Sequence, residues 1–355
     1  MKKRNVKLKA LGLSLVLMFM VNTISFATEY TKVKTKSFDV NPGALLDIKT
    51  EFGDIKAHNW NKNKISVEAT ITVNASSQSK ADERFERVRL EMSGNPDLVS
   101  ILSHIESKFF KKGSNSISID FLIYYPADCR LKLNQEFGSA FFEDVKGHTD
   151  IHSEYGSFNA HKLYASENDI EVSFGKIQVF TLNNANIDVD YGGCDIESVK
   201  TLVLRSSFSG NVNIDQVDDL TLKSSYDKVS IGEANQIHGS TEFSSFSLQQ
   251  LNQSIKMKAA YGSFKIYSIA SDFDVVDLNS EFCGLKLYVD EESNFTFYTD
   301  VQLGSFHYPK EKVRITDLQK DVTDLTMEGY FGSQEKAKSH MRLSVDNASI
   351  NLNIK

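Results

Sequence analysis

The chain has 355 residues, 41% of them apolar and 25% charged, with four prolines and one tryptophan. That balance supports a packed core and excludes wholesale disorder. Five of the 40 basic residues fall in the first 27, which hold no acid, so residues 28–355 carry 35 bases against 47 acids, a net charge of about −12. Such a surface repels phosphate backbones, which argues against nucleic acid or an anionic membrane as partner.

Residues 1–27 read as a secretory signal peptide. A basic start (MKKRNVKLK) precedes the apolar run ALGLSLVLMFMV, and Ser25-Phe26-Ala27 supplies small residues at the cleavage site. The competing reading is an uncleaved anchor. The apolar run is short for a membrane span, and no later stretch approaches about 18 consecutive apolar residues, so no further transmembrane helix is expected. With no Cys near the cleavage site, a lipid anchor is not expected.

Residues 28–125 read as N-terminal β coils. Ile65, Val67, Ala69 and Ile71 alternate as in a strand. An insertion at 76–116 breaks this rhythm. Lys80–Met92 is predicted to be a short helix with Ala81, Phe85, Val88 and Met92 on one face, capped by Ser79 and stopped by Asn95-Pro96. Lys108–Ser116 reads as a loop, and Ile117–Tyr125 as a strand.

The dominant feature is an aromatic followed by Gly, which recurs along the chain and most densely over 126–310, read as β-solenoid repeats. The copies are Phe52-Gly53, Phe137-Gly138, Tyr155-Gly156, Phe174-Gly175, Tyr191-Gly192, Tyr261-Gly262 and Phe331-Gly332. Weaker copies are Phe208-Ser209, Tyr226-Asp227, Phe246-Ser247, Phe282-Cys283 and Leu303-Gly304. The mean step is about 18 residues. Apolar residues stand four before the aromatic (Ile151, Ile170, Ile187, Leu204) and three, five and eight after it (Ile177, Val179, Leu182). Each set has period two, which means β-strand. The parity changes across the Gly, so the chain must bend there for both sets to reach one interior. Gly suits a bend because it accepts positive φ.

One such unit cannot bury its own apolar face, so the units must stack, pairing equivalent strands in parallel and aligning Phe137, Tyr155, Phe174, Tyr191, Phe208 and Tyr226 into a ladder. The absence of Pro from 127 to 308 agrees. The fold class expected is therefore all-β, a parallel β-solenoid with coils of about 18 residues and a short helical and loop insertion near the N-terminus. A β-sandwich of hairpins is the alternative, disfavoured by the absence of Asn-Gly and Asp-Gly turns. A buried ladder ring such as Phe174 is predicted to cost about 3–5 kcal/mol on truncation to Ala. Residues 311–355, with Leu343, Val345, Ile350, Leu352 and Ile354 alternating, read as C-terminal capping strands. Cys129, Cys194 and Cys283 match no zinc or redox spacing, and their places in the repeat keep them apart, so three free thiols are expected.

The segments Phe52-Gly53-Asp54-Ile55-Lys56-Ala57-His58-Asn59-Trp60 and Tyr125-Pro126-Ala127-Asp128-Cys129-Arg130-Leu131-Lys132-Leu133, together with the aromatic-Gly coils, resemble exported bacterial proteins of the Bacteroidetes type labelled "putative adhesin". The resemblance covers most of residues 40–310. It implies a β-solenoid and suggests adhesion, and it carries over no catalytic or binding residue.

Chemistry is sparse. His148, His152 and His161 lie near Asp144, Asp150 and Glu154, but residues four apart on a strand are about 13 Å apart, which suits surface histidines better than a metal site. Asp188, Asp190, Asp195, Asp215, Asp218 and Asp219 read as a solvated acidic face rather than a calcium site. No Gly-x-Ser-x-Gly, His-Glu-x-x-His or phosphate loop occurs. No catalytic, cofactor-binding or metal residue is assigned, no cofactor is expected, and the protein is read as a non-enzyme. The expected function is an exported, monomeric binding protein, periplasmic or on the cell surface. It would display repeated coils to a protein or polysaccharide so that weak contacts sum. The alternatives are a periplasmic envelope scaffold or stress-linked partner protein, and a glycan-cleaving solenoid enzyme.

Overall fold

The computed structural model describes residues 28–106 and 117–355. Residues 1–27, expected to be a signal peptide, and residues 108–116, expected to be a loop, lie outside them. The described chain is nearly all β, with helix confined to Gln78–Phe85 and one 3-10 turn at Gln334–Lys336. Its strands form a large, open, mostly parallel sheet.

The strands fall into two rows joined at the aromatic positions. In the first row Leu133 pairs with Ile151, Ile151 with Ile170, Ile170 with Ile187 and Ile187 with Leu204, all in parallel. In the second row Ala57 pairs with Phe142, Phe142 with Ala160, Ala160 with Val179 and Val179 with Ile196, again in parallel. The two rows enclose one core. Ile170 and Val172 before the bend and Ile177, Val179 and Leu182 after it are all buried, as the parity argument requires.

The bend is made differently from the expectation. Gly53 and Gly138 do carry positive φ, at 125° and 117°. From Tyr155 onward the aromatic itself is left-handed, with φ between 47° and 60° at Tyr155, Phe174, Tyr191, Phe208, Tyr226, Phe243, Tyr261 and Phe282. The Gly that follows is needed for space instead. A Cβ on Gly175 would stand 1.7 Å from the carbonyl oxygen of Gly156, and one on Gly156 1.8 Å from that of Gly138. The row of glycines lets backbone pass directly over backbone.

Two aromatic-Gly assignments are corrected. The bend residue in the 243–248 stretch is Phe243 followed by Ser244, not Phe246 followed by Ser247. Phe246 is buried in the core and stacks on Phe264 at 4.4 Å. Gly239 stands where other copies have an aliphatic residue four before the aromatic, which hides the true register. Phe331 belongs to a terminal hairpin, fully buried against Phe295 at 5.0 Å.

Where the slot after the aromatic is not Gly, side chains fill it with polar contacts. Asp227 is buried and accepts hydrogen bonds from the Ser206 and Ser224 hydroxyls at 2.5 and 2.7 Å and from the Ser209 N–H at 2.7 Å. An extra residue in this stretch, Gly210 at φ 62°, absorbs the altered backbone path.

Antiparallel pairing is confined to the two ends. At the N-terminal end Thr28–Asp39 pairs with Lys64–Ala75, which pairs with Ile117–Tyr125. Lys32, Lys34 and Lys36 of the edge strand lie opposite the buried Ile71, Ala69 and Val67, a charged edge that discourages further strand addition. The helix is shorter than predicted and is capped by Ser77, whose hydroxyl accepts from the Lys80 N–H at 3.4 Å. Val88–Asn95 is a strand, because Val88, Leu90 and Met92 alternate and pair with Ile105, Ser103 and Ile101. Trp60 is half-buried and stacks on Tyr124.

At the other end the last strands do not close the stack. Ser339–Asp346 inserts between Val275–Glu281 and Phe295–Gln302, and Ser349–Ile354 inserts between Gly284–Val289 and Ser305–His307. Buried Leu343, Val345, Ile350 and Leu352 require neighbours on both sides. The outermost pieces are the antiparallel Val313–Lys320 and Asp324–Phe331.

Candidate functional site

The most prominent surface feature is the row of bend residues. Phe52, Phe137, Tyr155, Phe174, Tyr191, Phe208, Tyr226, Phe243, Tyr261 and Phe282 form one continuous stack, with centroids 4.7 to 5.1 Å apart and rings within 14° of parallel. Nine steps make a ridge about 45 Å long. From Phe137 on, Phe and Tyr alternate without a break.

The ladder was expected; its exposure was not. Phe174 is 51% exposed and Tyr191 55%. On a straight strand the bend residue would share the inward side with the residues two and four before it. The left-handed backbone turns it out instead. That conformation costs about 1–2 kcal/mol per residue, and each stacked pair contributes about 0.5–1.5 kcal/mol, so the two nearly offset. Because each ring face is covered by its neighbours, the ridge presents ring edges and the hydroxyls of Tyr155, Tyr191, Tyr226 and Tyr261. Acids stand immediately before the rings on one side, among them Glu136, Glu154, Asp190, Glu242 and Glu281, all exposed.

The titratable residues singled out in the sequence do not converge. His152 pairs with Glu171 at 3.1 Å and His161 with Asp144 at 2.9 Å, on different rows, while the ring of His148 meets the Glu167 carbonyl at 3.0 Å. Asp188 meets Arg205 at 3.4 Å, Asp195 binds Lys176 and Asn213, and Asp218 accepts from Asn235. Asp190 meets the hydroxyl of Ser207. Asp195 is held below its usual range: partial burial pushes it up, but the hydrogen bonds from Lys176 and Asn213 outweigh that. Among the described residues no group of three or more His, Cys, Asp or Glu is placed to hold a metal ion.

A second His–carboxylate site was not legible in the sequence. His58 and Glu143, 85 positions apart, meet at 2.8 Å, and Glu143 also accepts from the Asn59 N–H at 2.7 Å. Around them lie Tyr124 and Phe141. Burial pushes Glu143 up, yet the hydrogen bonds from His58 and Asn59 hold it below the ordinary carboxylate range.

Of the surface hollows lined by carboxylates, two bear on the candidate chemistry. One, of about 400 Å³, is lined by Asp277, Tyr298, Glu328, His340 and Arg342. Asp277 and Glu328 stand three strands apart there, about 14 Å, beyond the span of a paired-carboxylate mechanism. The other, of about 460 Å³, is lined by Glu51, Glu136, Glu154, His104 and Arg89.

No protein-family model matches the chain, and no curated protein matches it. Among solved structures it is similar to a "putative adhesin" of Bacteroides fragilis, at 13% identity and TM-score 0.32, covering 72% of this chain and 97% of that one. It is also similar to a "putative lipid binding protein" of Parabacteroides distasonis, at 12% identity and TM-score 0.34, covering 72% and 96%. A "putative cell adhesion protein" of Clostridium sporogenes matches at 9% identity and TM-score 0.20, covering 92% and 100%. Likenesses of this size assign no activity. Among the described residues no helix is long and apolar enough to cross a membrane.

Proposed function

We propose that the protein is an exported, non-enzymatic β-solenoid that binds a cell surface or an envelope polymer along one long flank. In this reading the two rows are the walls of stacked coils over 126–310, with 28–125 and 311–355 as the end pieces. The observation that carries it is the aromatic ridge. Monomeric soluble proteins rarely expose a contiguous apolar strip of this size unless something docks there. Its regular spacing suits a partner that makes the same weak contact many times. Since the ring faces are covered, that contact is made through ring edges and tyrosine hydroxyls, in a groove or along a chain of the partner.

The test is binding of the purified mature protein to intact cells and to isolated envelope, before and after replacing Tyr191, Phe208 and Tyr226 by Ser. Loss of binding with an unchanged circular dichroism spectrum supports the ridge. Undiminished binding removes it from the function. Protease access on intact cells separates a surface protein from a periplasmic scaffold.

One observation favours a second reading. Glu136 and Glu154 occupy neighbouring strands of the first row beside the hollow that also holds Glu51 and His104, and paired strands are about 4.8 Å apart, near the carboxylate spacing of retaining glycosidases. Release of reducing ends from a polysaccharide by the wild-type protein, lost in Glu136→Gln, would replace the binding role with a glycan-cleaving one.

A further inference from the structure

The chain is strongly acidic, yet one stretch of its outer surface holds no carboxylate, with Glu233 at its margin. On the outer side of the second row, six paired strand segments run 228–232, 245–249, 263–267, 284–288, 349–353 and 305–307. Pairing sets Lys228 against Ser245, Ser245 against Ser263, Lys265 against Lys286, Lys286 against Asn351, and Asn351 against His307. None of the six contains Asp or Glu. The segments just before them on the same face do, with Asp195, Glu197 and Asp215. The acid-free face spans about 24 Å along the stack.

Its cations are left without counter-charge. Among the described residues, Lys228, Lys265 and Lys286 make no ion pair, although Lys132, Lys176 and Lys312 elsewhere do. Lys265 and Lys286 stand directly opposite one another on paired strands. Like charges so placed are destabilising unless an anion lies between them. The Lys265 Nζ sits 3.7 Å from the centre of the Tyr267 ring and 5.6 Å from that of Tyr288, so the charge is held over the face instead of swinging free. Around it lie hydroxyls and amides in rows: Ser245 bonds Ser263 at 2.9 Å, and Ser305 bonds Ser349 at 2.9 Å.

We propose that this face binds an acidic polysaccharide whose carboxylates meet Lys265, Lys286 and Lys228 and whose hydroxyls meet the serine and asparagine rows. An extended polymer fits better than an acidic protein, because the contacts are spread in a lattice of single charges and neutral hydrogen-bonding groups over a flat sheet. This deepens the surface- or polymer-binding role and rests on it, but it uses residues separate from the ridge.

The test is affinity electrophoresis and calorimetry of the mature protein with polygalacturonate, and with its methyl ester as an uncharged copy of the same chain. Polygalacturonate is expected to bind and the ester not to, with binding lost toward about 0.5 M salt. Lys265→Gln with Lys286→Gln is expected to weaken binding about tenfold or more without lowering the thermal melt. The ridge variant is expected to bind polygalacturonate normally. Equal binding of acid and ester, full binding by the folded lysine variant, or a preference for polyphosphate or polyglutamate would each overturn the proposal. If only the ridge variant loses polygalacturonate, the lysine face is wrong while the surface-binding role stands.

Discussion

Gly175→Ala tests the packing rule on which the whole stack depends. The new Cβ would lie 1.7 Å from the Gly156 carbonyl oxygen, about half the distance two such atoms tolerate, and 3.1 Å from a Val172 methyl. The obstacle is backbone, so no rotamer change relieves it. Two paired segments must separate, which weakens ladder hydrogen bonds and the Tyr155–Phe174 stack at 4.9 Å. Overpacking a tight core costs about 1–3 kcal/mol, and with weakened neighbours the expected loss is about 2–4 kcal/mol. Gly193 and Gly284 provide internal controls. Their added Cβ atoms would meet nothing nearer than 3.4 and 3.5 Å, and neither has positive φ, so Gly193→Ala and Gly284→Ala should change stability by less than about 0.5 kcal/mol. Urea unfolding followed by circular dichroism and by tyrosine fluorescence reads all three. If Gly175→Ala matches its controls, close backbone approach is not what selects Gly after the aromatic.

Three further outcomes follow from burial and protonation. Phe158→Ala, at a fully buried position, should cost about 3–5 kcal/mol, whereas Phe174→Ala, at a ring 51% exposed, should cost about 1–2 kcal/mol; equal losses in urea melts would contradict the outward ladder. The depressed Glu143 contributes stability that is full above its ordinary value of 4.5 and is lost as pH falls through its lower folded value. Glu143→Gln should therefore flatten the decline of stability in acid, and an unchanged acid profile would refute the His58–Glu143 bond. Burial pushes the Cys129 and Cys194 thiols up to about 12 and also raises Cys283. None should react with a thiol reagent near pH 8 until the protein unfolds, and prompt labelling of the native protein would place one of them at the surface.

Much of this architecture was legible in the residues. Period-two runs such as Ile170, Val172 and Ile177, Val179 announced strands, and their fixed distance from each aromatic announced parallel pairing of successive segments. The stacking of Phe137, Tyr155 and Phe174 followed from the same spacing. Local pattern failed where a tertiary partner decided. Val88 and Met92 fit a helix face with Ala81 and Phe85, and fit a strand together with Leu90; pairing with Leu98–Ile105 selected the strand. Gly239 broke the pattern four before the bend, so Phe246 looked like a bend residue when it belongs to the core.

The sequence by itself determined the strand class, the repeat distance and which aliphatic residues share the interior, because these depend on local periodicity and on a face too apolar to leave in water. Only the tertiary structure decided that from Tyr155 onward the aromatics, and not the glycines after them, take the left-handed conformation, since that choice depends on backbone passing over backbone one segment away. It also decided the side of the wall on which the ring ladder stands, the insertion of the last strands inside the stack, and the meeting of His58 with Glu143. Those arrangements join residues far apart in the chain, and no local pattern encodes such neighbours.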